Sequence, residues 1–197
     1  MPLQEWCSTG GLALASFSTE AEYSTLAHIL ESLSNEKVTL IHSKPIRFAL
    51  DASIALIDAS SHELTARSAL RRRISDQEDS KTIKNPADTQ NFLNQLEKMS
   101  KKSTEKEWWI WSSPSDLLAH GVDETEIAQC LRVIANDYSE FRFIVLIPRD
   151  VHSPRGFAIL EYIAEIHFTA TGLKDGNYLW SVAKHYDLKY EGAKIEI

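Results

Sequence analysis

Cysteine is nearly absent: Cys7 and Cys130 are the only two in a chain of 197 residues. Thiols so few and so far apart make neither a disulfide framework nor a metal-ligand cluster, and they fit a reducing compartment. Long apolar runs are missing too. No stretch approaches the roughly 18–20 residues that span a bilayer. The opening MPLQEWCSTGG has neither the basic segment nor the apolar core of a secretory signal. No membrane role is expected, and the expected compartment is the cytosol, or cytosol plus nucleus. Positive charge is in deficit, with 21 Lys and Arg against 28 Asp and Glu, a net charge of -7. That excludes a generally basic nucleic-acid coat but leaves room for a local basic loop. Enzyme signatures are also missing. There is no G-x-x-x-x-G-K-[ST], no G-x-G-x-x-G after a strand and no G-x-S-x-G elbow. The seven histidines are scattered, with no H-E-x-x-H, so neither metal nor cofactor is expected.

What remains is ordinary globular protein. Hydrophobic residues make up 43% of the chain and charged ones 25%. This fits one domain over 1–197 with a substantial core. LALASF (Leu12 to Phe17) reads as a buried strand. Tyr23, Leu26, Ala27, Leu30 and Leu33 then keep one helix face apolar, and Thr19 with Glu22 gives a capping-box signature. VTLIH (38–42) reads as a strand. FALDASIALIDA (48–59) is apolar and fits helix or strand; the favoured reading is a helix followed by a short strand near Ile57. A helix-like patch surrounds Phe92, Leu93 and Leu96.

From 108 onward the pattern is regular. WWIW is a strand, on which Trp109 is expected to face opposite to both Trp108 and Trp111. Asp123 caps a helix, with Glu126 at the third position and Ile127, Leu131, Ile134 and Tyr138 on one face. FRFIVLI (141–147) is continuously apolar, as a strand covered on both faces requires. FAILEYIA reads as a helix and EIHFTATG as a strand. Asp175-Gly176 and Glu191-Gly192 mark turns between short terminal strands. Alternation of this kind predicts an α/β fold: a mostly parallel sheet, helices on both faces and antiparallel hairpins at the C-terminus.

Two stretches carry functional information. FSTEAEYS lies between the first strand and the first helix, where a nucleotide-binding protein keeps its phosphate loop. Phe17 and Glu22 stand at the two glycine positions of such a loop and Tyr23 at its lysine; only Ser24 fits. A phosphate loop works because glycines turn backbone N–H groups inward and lysine adds a full positive charge. Here Glu20 and Glu22 repel a triphosphate and engage the positive helix start themselves. The second stretch, Ser60 to Glu107, carries ten Lys and Arg against eight Asp and Glu, mildly basic in an acidic chain. A flexible basic insertion is expected at about 61–90, with Arg67, Arg71, Arg72, Arg73, Lys81 and Lys84 facing a polyanion. A solvated insertion is the plainer reading of the same residues. RRRIS (71–75) also has the form of a basophilic kinase site. Arg149, His152 and Arg155 follow the strong central strand, at the sheet edge where ligands gather.

The pattern resembles the RecA-like ATPase core of KaiC and the recombinases. WWIWSSPSDLL falls where that family's Walker B strand lies, but Ser112, Ser113 and Pro114 follow the strand and no carboxylate appears until Asp116. FRFIVLIPRD resembles the next strand, with its polar tip toward the nucleotide. IAEIHFTATGLKDGNYLWSVAKH resembles the later strand and hairpin, commonly ending on a lysine. Within that fold, SPSDLLAHGVDETEIAQCLRVIAND and TATGLKDGNYLWSV are similar to segments of the RecA-like accessory subunits of the Elongator complex. That resemblance implies a pseudo-ATPase without cofactor and with RecA-like neighbours in a heterohexameric ring. Arg149, His152 and Arg155 would act across an interface in such a ring. It also implies support of tRNA wobble-uridine modification, with tRNA met through the assembled ring. The alternative is a KaiC-like or recombinase-like regulator that binds nucleotide or DNA in an unorthodox way.

Overall fold

A computed structural model describes residues 11–44, 46, 48–59, 81–83, 86–101, 107–174, 177–185 and 192–195. Nine strands form one sheet in the order β4-β3-β2-β5-β6-β1-β7-β8-β9. The strands are β1 (Gly11–Phe17), β2 (Val38–His42), β3 (Ala55–Asp58), β4 (Lys81–Thr82), β5 (Trp108–Ser112), β6 (Arg142–Pro148), β7 (Ile166–Lys174), β8 (Asn177–Lys184) and β9 (Lys194–Ile195). Pairing is parallel from β4 through to β7. It turns antiparallel between β7 and β8 and between β8 and β9. This is the α/β architecture with C-terminal hairpins that the alternation of patterns predicts. The Asp175-Gly176 turn itself lies outside the described residues.

Among the described residues four α-helices cover the sheet: α1 (Glu22–Ser32), α2 (Thr89–Ser100), α3 (Glu124–Asp137) and α4 (Pro154–Ile163). Two apolar layers result. One joins α2, α3 and α4 to the sheet through Phe92, Leu96, Ile127, Leu131, Ile134 and Leu160. The other joins α1 through Leu26, Ile29, Leu30 and Leu33. β5 and β6 lie between these layers, which is why both read as continuous apolar runs.

Trp109 and Trp111 share the α3 layer, whereas Trp108 lies in the opposite one. The expectation that Trp109 opposes both other tryptophans is therefore corrected: residues two apart in a strand point the same way. All three are core, none more than 2% exposed.

α3 starts as its sequence dictates, with the reciprocal Asp123–Glu126 capping box in place. At α1 the expected box is absent. Neither Ser18 before the 3-10 turn Thr19–Ala21 nor Ala21 before α1 makes a side-chain cap, because Thr19 and Glu22 bond elsewhere. The expected helix in 48–59 is also absent. Only β3 forms there, and Phe48, Leu50 and Ile54 instead pack as irregular chain against the α1 layer. Seven residues ahead of a strand are too few to fold back as a stable helix.

Candidate functional site

The parallel strands end level with one another. Phe17 pairs in register with Pro148, and His42 with Ser112. Loops after β1, β2, β5 and β6 therefore emerge at one edge, where open α/β sheets bind ligands. Here the four loops are tied to each other.

Glu22 is the centre of that arrangement. It opens α1, yet its side chain is only 9% exposed. Its carboxylate accepts a very short hydrogen bond from the Ser113 hydroxyl. Its other oxygen lies 3.2 Å from the Lys44 ammonium. Because β6 separates β1 from β5, Glu22 reaches across the end of β6 to do this. Ser113 meets it from a left-handed conformation, φ 59° and ψ 44°, the only positive φ among the described non-glycine residues. Such a backbone costs on the order of 1–2 kcal/mol and persists only where its surroundings hold it. A second tie joins the loops after β1 and β6. Thr19 donates to Asp150 from its backbone N–H at 3.0 Å and from its hydroxyl at 2.7 Å. Desolvation raises the Asp150 carboxyl, but the bonds from Thr19 together outweigh it and hold the group below the usual aspartate range.

The remaining residues of the degenerate loop fall around this pair. Phe17 is fully buried, Glu20 is exposed, Tyr23 is half-buried, and the Ser24 hydroxyl donates back to the Ala21 carbonyl at 3.0 Å. Ser24, the residue that fits the phosphate-loop pattern, is thus engaged within its own helix turn. Glu22 does not cap its own helix; it faces the neighbouring loops instead.

His152 belongs to a separate clasp. Its Nε2 lies 2.8 Å from the Ser115 hydroxyl and its Nδ1 3.3 Å from Glu124 Oε1. Glu124 also accepts from the backbone N–H of Ser153 at 2.6 Å and from the Ser153 hydroxyl. These Ser153 bonds hold the Glu124 carboxyl low, while burial depresses His152. A Cβ at Gly156 would meet the Glu124 carboxylate and displace it from its present position. The order serine, imidazole, carboxylate is that of a nucleophilic relay. The His152 side chain, however, has no exposed surface and Ser115 is buried. The clasp ties the turn after β5 to the starts of α3 and α4.

A similar chain runs through the sheet. Ser16 lies 2.7 Å from His167 Nε2, and His167 Nδ1 lies 3.0 Å from Glu161 Oε1. Burial, then the charges of Arg149 and Lys184, push His167 down to about 4. The pull of Glu161 in the other direction is weakened because that carboxylate is 40% exposed to water. The tautomer protonated at Nδ1 suits both neighbours, turning N–H toward the Glu161 carboxylate and leaving Nε2 to accept from the Ser16 hydroxyl.

The three residues after β6 thus separate. Arg149 donates to the Ala170 carbonyl at 3.0 Å, His152 is internal, and Arg155 is exposed on α4. Within the chain His152 is buried, whereas the notion of an interface role for the three residues rests on the resemblance alone. The lysine ending the late hairpin, Lys184, donates to the carbonyls of Glu161, Tyr162 and Ala164, satisfying the end of α4. Of the basic segment, Lys81 opens the edge strand β4, whereas Arg67, Arg71, Arg72, Arg73 and Lys84 lie outside the described residues. Lys44, Ser113 and Asp150 escaped the sequence reading. Their one signal is position: each is a polar residue within two of the end of an apolar strand.

No family profile and no curated protein sequence matches the chain. Among solved structures, the protein PH0250 of Pyrococcus horikoshii OT3 is similar over 100% of this chain and 98% of its own, with a TM-score of 0.64 at 11% identity. At that identity the likeness concerns the fold alone.

Proposed function

We propose that the chain is a non-catalytic RecA-like assembly subunit, most like the accessory subunits of an Elongator-type ring that supports modification of tRNA wobble uridines. One observation carries the reading. The Glu22 carboxylate, at the junction of β1 and α1 that corresponds to a phosphate loop in the resemblance, is held by Ser113 and Lys44. An internal anion already engages the nearby ammonium and the Ser113 hydroxyl, so phosphate would have to displace a bonded carboxylate. At the end of β5, serine stands in place of a metal-holding acid. What such a domain keeps is its shape and its faces, which suits a partner among RecA-like neighbours.

Calorimetry with Mg·ATP, paired with co-expression beside RecA-like partner subunits and light scattering of the product, tests this. No nucleotide heat and a stable hetero-oligomer are expected. Micromolar ATP binding abolished by Ser24→Ala, or a filament formed on DNA by the chain alone, would overturn the proposal in favour of a KaiC-like or recombinase-like regulator.

A further inference from the structure

α3 and α4 lie side by side on the outer surface. Both lead from one parallel strand to the next, so they run in the same direction. Their starts are level, because Glu124, the first residue of α3, bonds Ser153, the N-cap of α4. Between them runs a groove of about 480 Å³. Its apolar lining comes from Ala128 on α3 and from Ile159 and Ile163 on α4. Tyr162 forms one wall and is 79% exposed, the most exposed large hydrophobic among the described residues. The charged residues that line the groove are Arg132 and Arg155 alone, in a protein of net charge -7. Both are exposed, and neither has an ion pair or a hydrogen bond among the described residues.

Arg155 lies at the head of the groove. Arg132 stands on the opposite wall, eight residues beyond Glu124 along α3, about 12 Å further down at the helical rise. The two cations are thus diagonal across an apolar trough. That pattern complements an amphipathic helix whose apolar ridge enters the trough and whose flanks carry carboxylates about two turns apart. Nucleic acid fits it poorly: two cations neutralise too few phosphates, and an apolar floor offers phosphate nothing. We infer that the α3–α4 groove is a docking site for an acidic amphipathic helix of a partner protein. It uses Arg155 but none of the Glu22, Lys44 and Ser113 contacts that carry the assembly proposal, so it is tested separately from that proposal.

A photoreactive benzoylphenylalanine in place of Tyr162 tests it, in the full-length chain expressed in its native cells. Mass spectrometry then identifies the crosslinked segment. The expected product is a helical segment whose apolar face is flanked by at least two Asp or Glu residues. Replacing both Arg132→Glu and Arg155→Glu should lower the yield about tenfold or more, since like charges face each other across the contact. Lys at the partner's flanking acids should restore it. Should the double reversal fail to fold by circular dichroism, Arg132→Gln with Arg155→Gln gives the same reading with a smaller fall. A crosslink to RNA, to a second copy of this chain or to a segment without acidic flanks overturns the inference. So does a yield no greater than from a probe at exposed Glu140, or one indifferent to the arginine changes.

Discussion

Glu22 places a carboxylate at the edge of the sheet, bonded to Ser113 and Lys44. Removing it should expose the balance of that contact. Glu22→Ala strands the Lys44 ammonium and the Ser113 hydroxyl, and a cost of about 1–3 kcal/mol in urea unfolding is expected. Lys44→Ala should cost less, because Lys44 is already 32% exposed and water replaces part of its loss. The double variant should cost less than the two singles together, by about 0.5–1 kcal/mol of coupling. Strict additivity would mean that the pair does not act as one. His167 provides a second test at this scale. Its folded pKa, near 4, lies below the ordinary 6.5, so the unfolded chain binds more protons in that interval. Stability from this group is fully present above about pH 6.5 and is lost as pH falls through the folded pKa, a total on the order of 3 kcal/mol. His152 shifts in the same direction, so a substitution is needed to isolate His167. The stability of His167→Gln should fall less steeply than that of the parent between pH 6.5 and 4. Parallel curves would show that the ring is not held neutral.

Among the elements, β5 is the most exacting. Trp109 packs against Phe143 at 6.2 Å and edge-on to Phe141 at 5.9 Å, beneath α3. Trp109→Ala should cost about 3–5 kcal/mol, as large-to-small core changes do. An unchanged melting temperature would place the strand at a free edge. This element was legible in the sequence because four apolar residues in a row leave a strand no solvent face to offer. α3 was legible too, since Asp123 and Glu126 specify its start within four residues. The turn into α1 was half legible. Thr19-Glu-Ala-Glu22 has capping-box spacing, but the tertiary partners Asp150, Lys44 and Ser113 outcompete the local bonds. Those partners are 22 to 131 residues away, and no local pattern announces them. The misread helix in 48–54 failed for the reverse reason. Its apolar residues record burial against α1, which irregular chain achieves as well as a helix.

At the scale of the whole molecule, charge is distributed unevenly, and this bears on any contact with RNA. Outside Ser60 to Glu107 the chain carries eleven Lys and Arg against twenty Asp and Glu, which repels phosphate. If tRNA is handled, the positions that can do it are Arg67, Arg71, Arg72, Arg73, Lys81 and Lys84. Contacts from such a segment go to phosphate, so they should be salt-sensitive with little sequence preference. One segment supplies only a few charges, and useful affinity should arise only when several subunits present theirs together. If the chain enters a ring as proposed, the lone chain is expected to bind tRNA negligibly and the ring measurably. Neutralising Arg71, Arg72 and Arg73 together should weaken binding by the ring and flatten its dependence on salt, while light scattering still finds the intact assembly. Equal binding by parent and variant across a salt series would leave the segment no role in RNA handling. Loss of assembly would move the three arginines to a contact between subunits, where they would face carboxylates of a neighbour instead of phosphate.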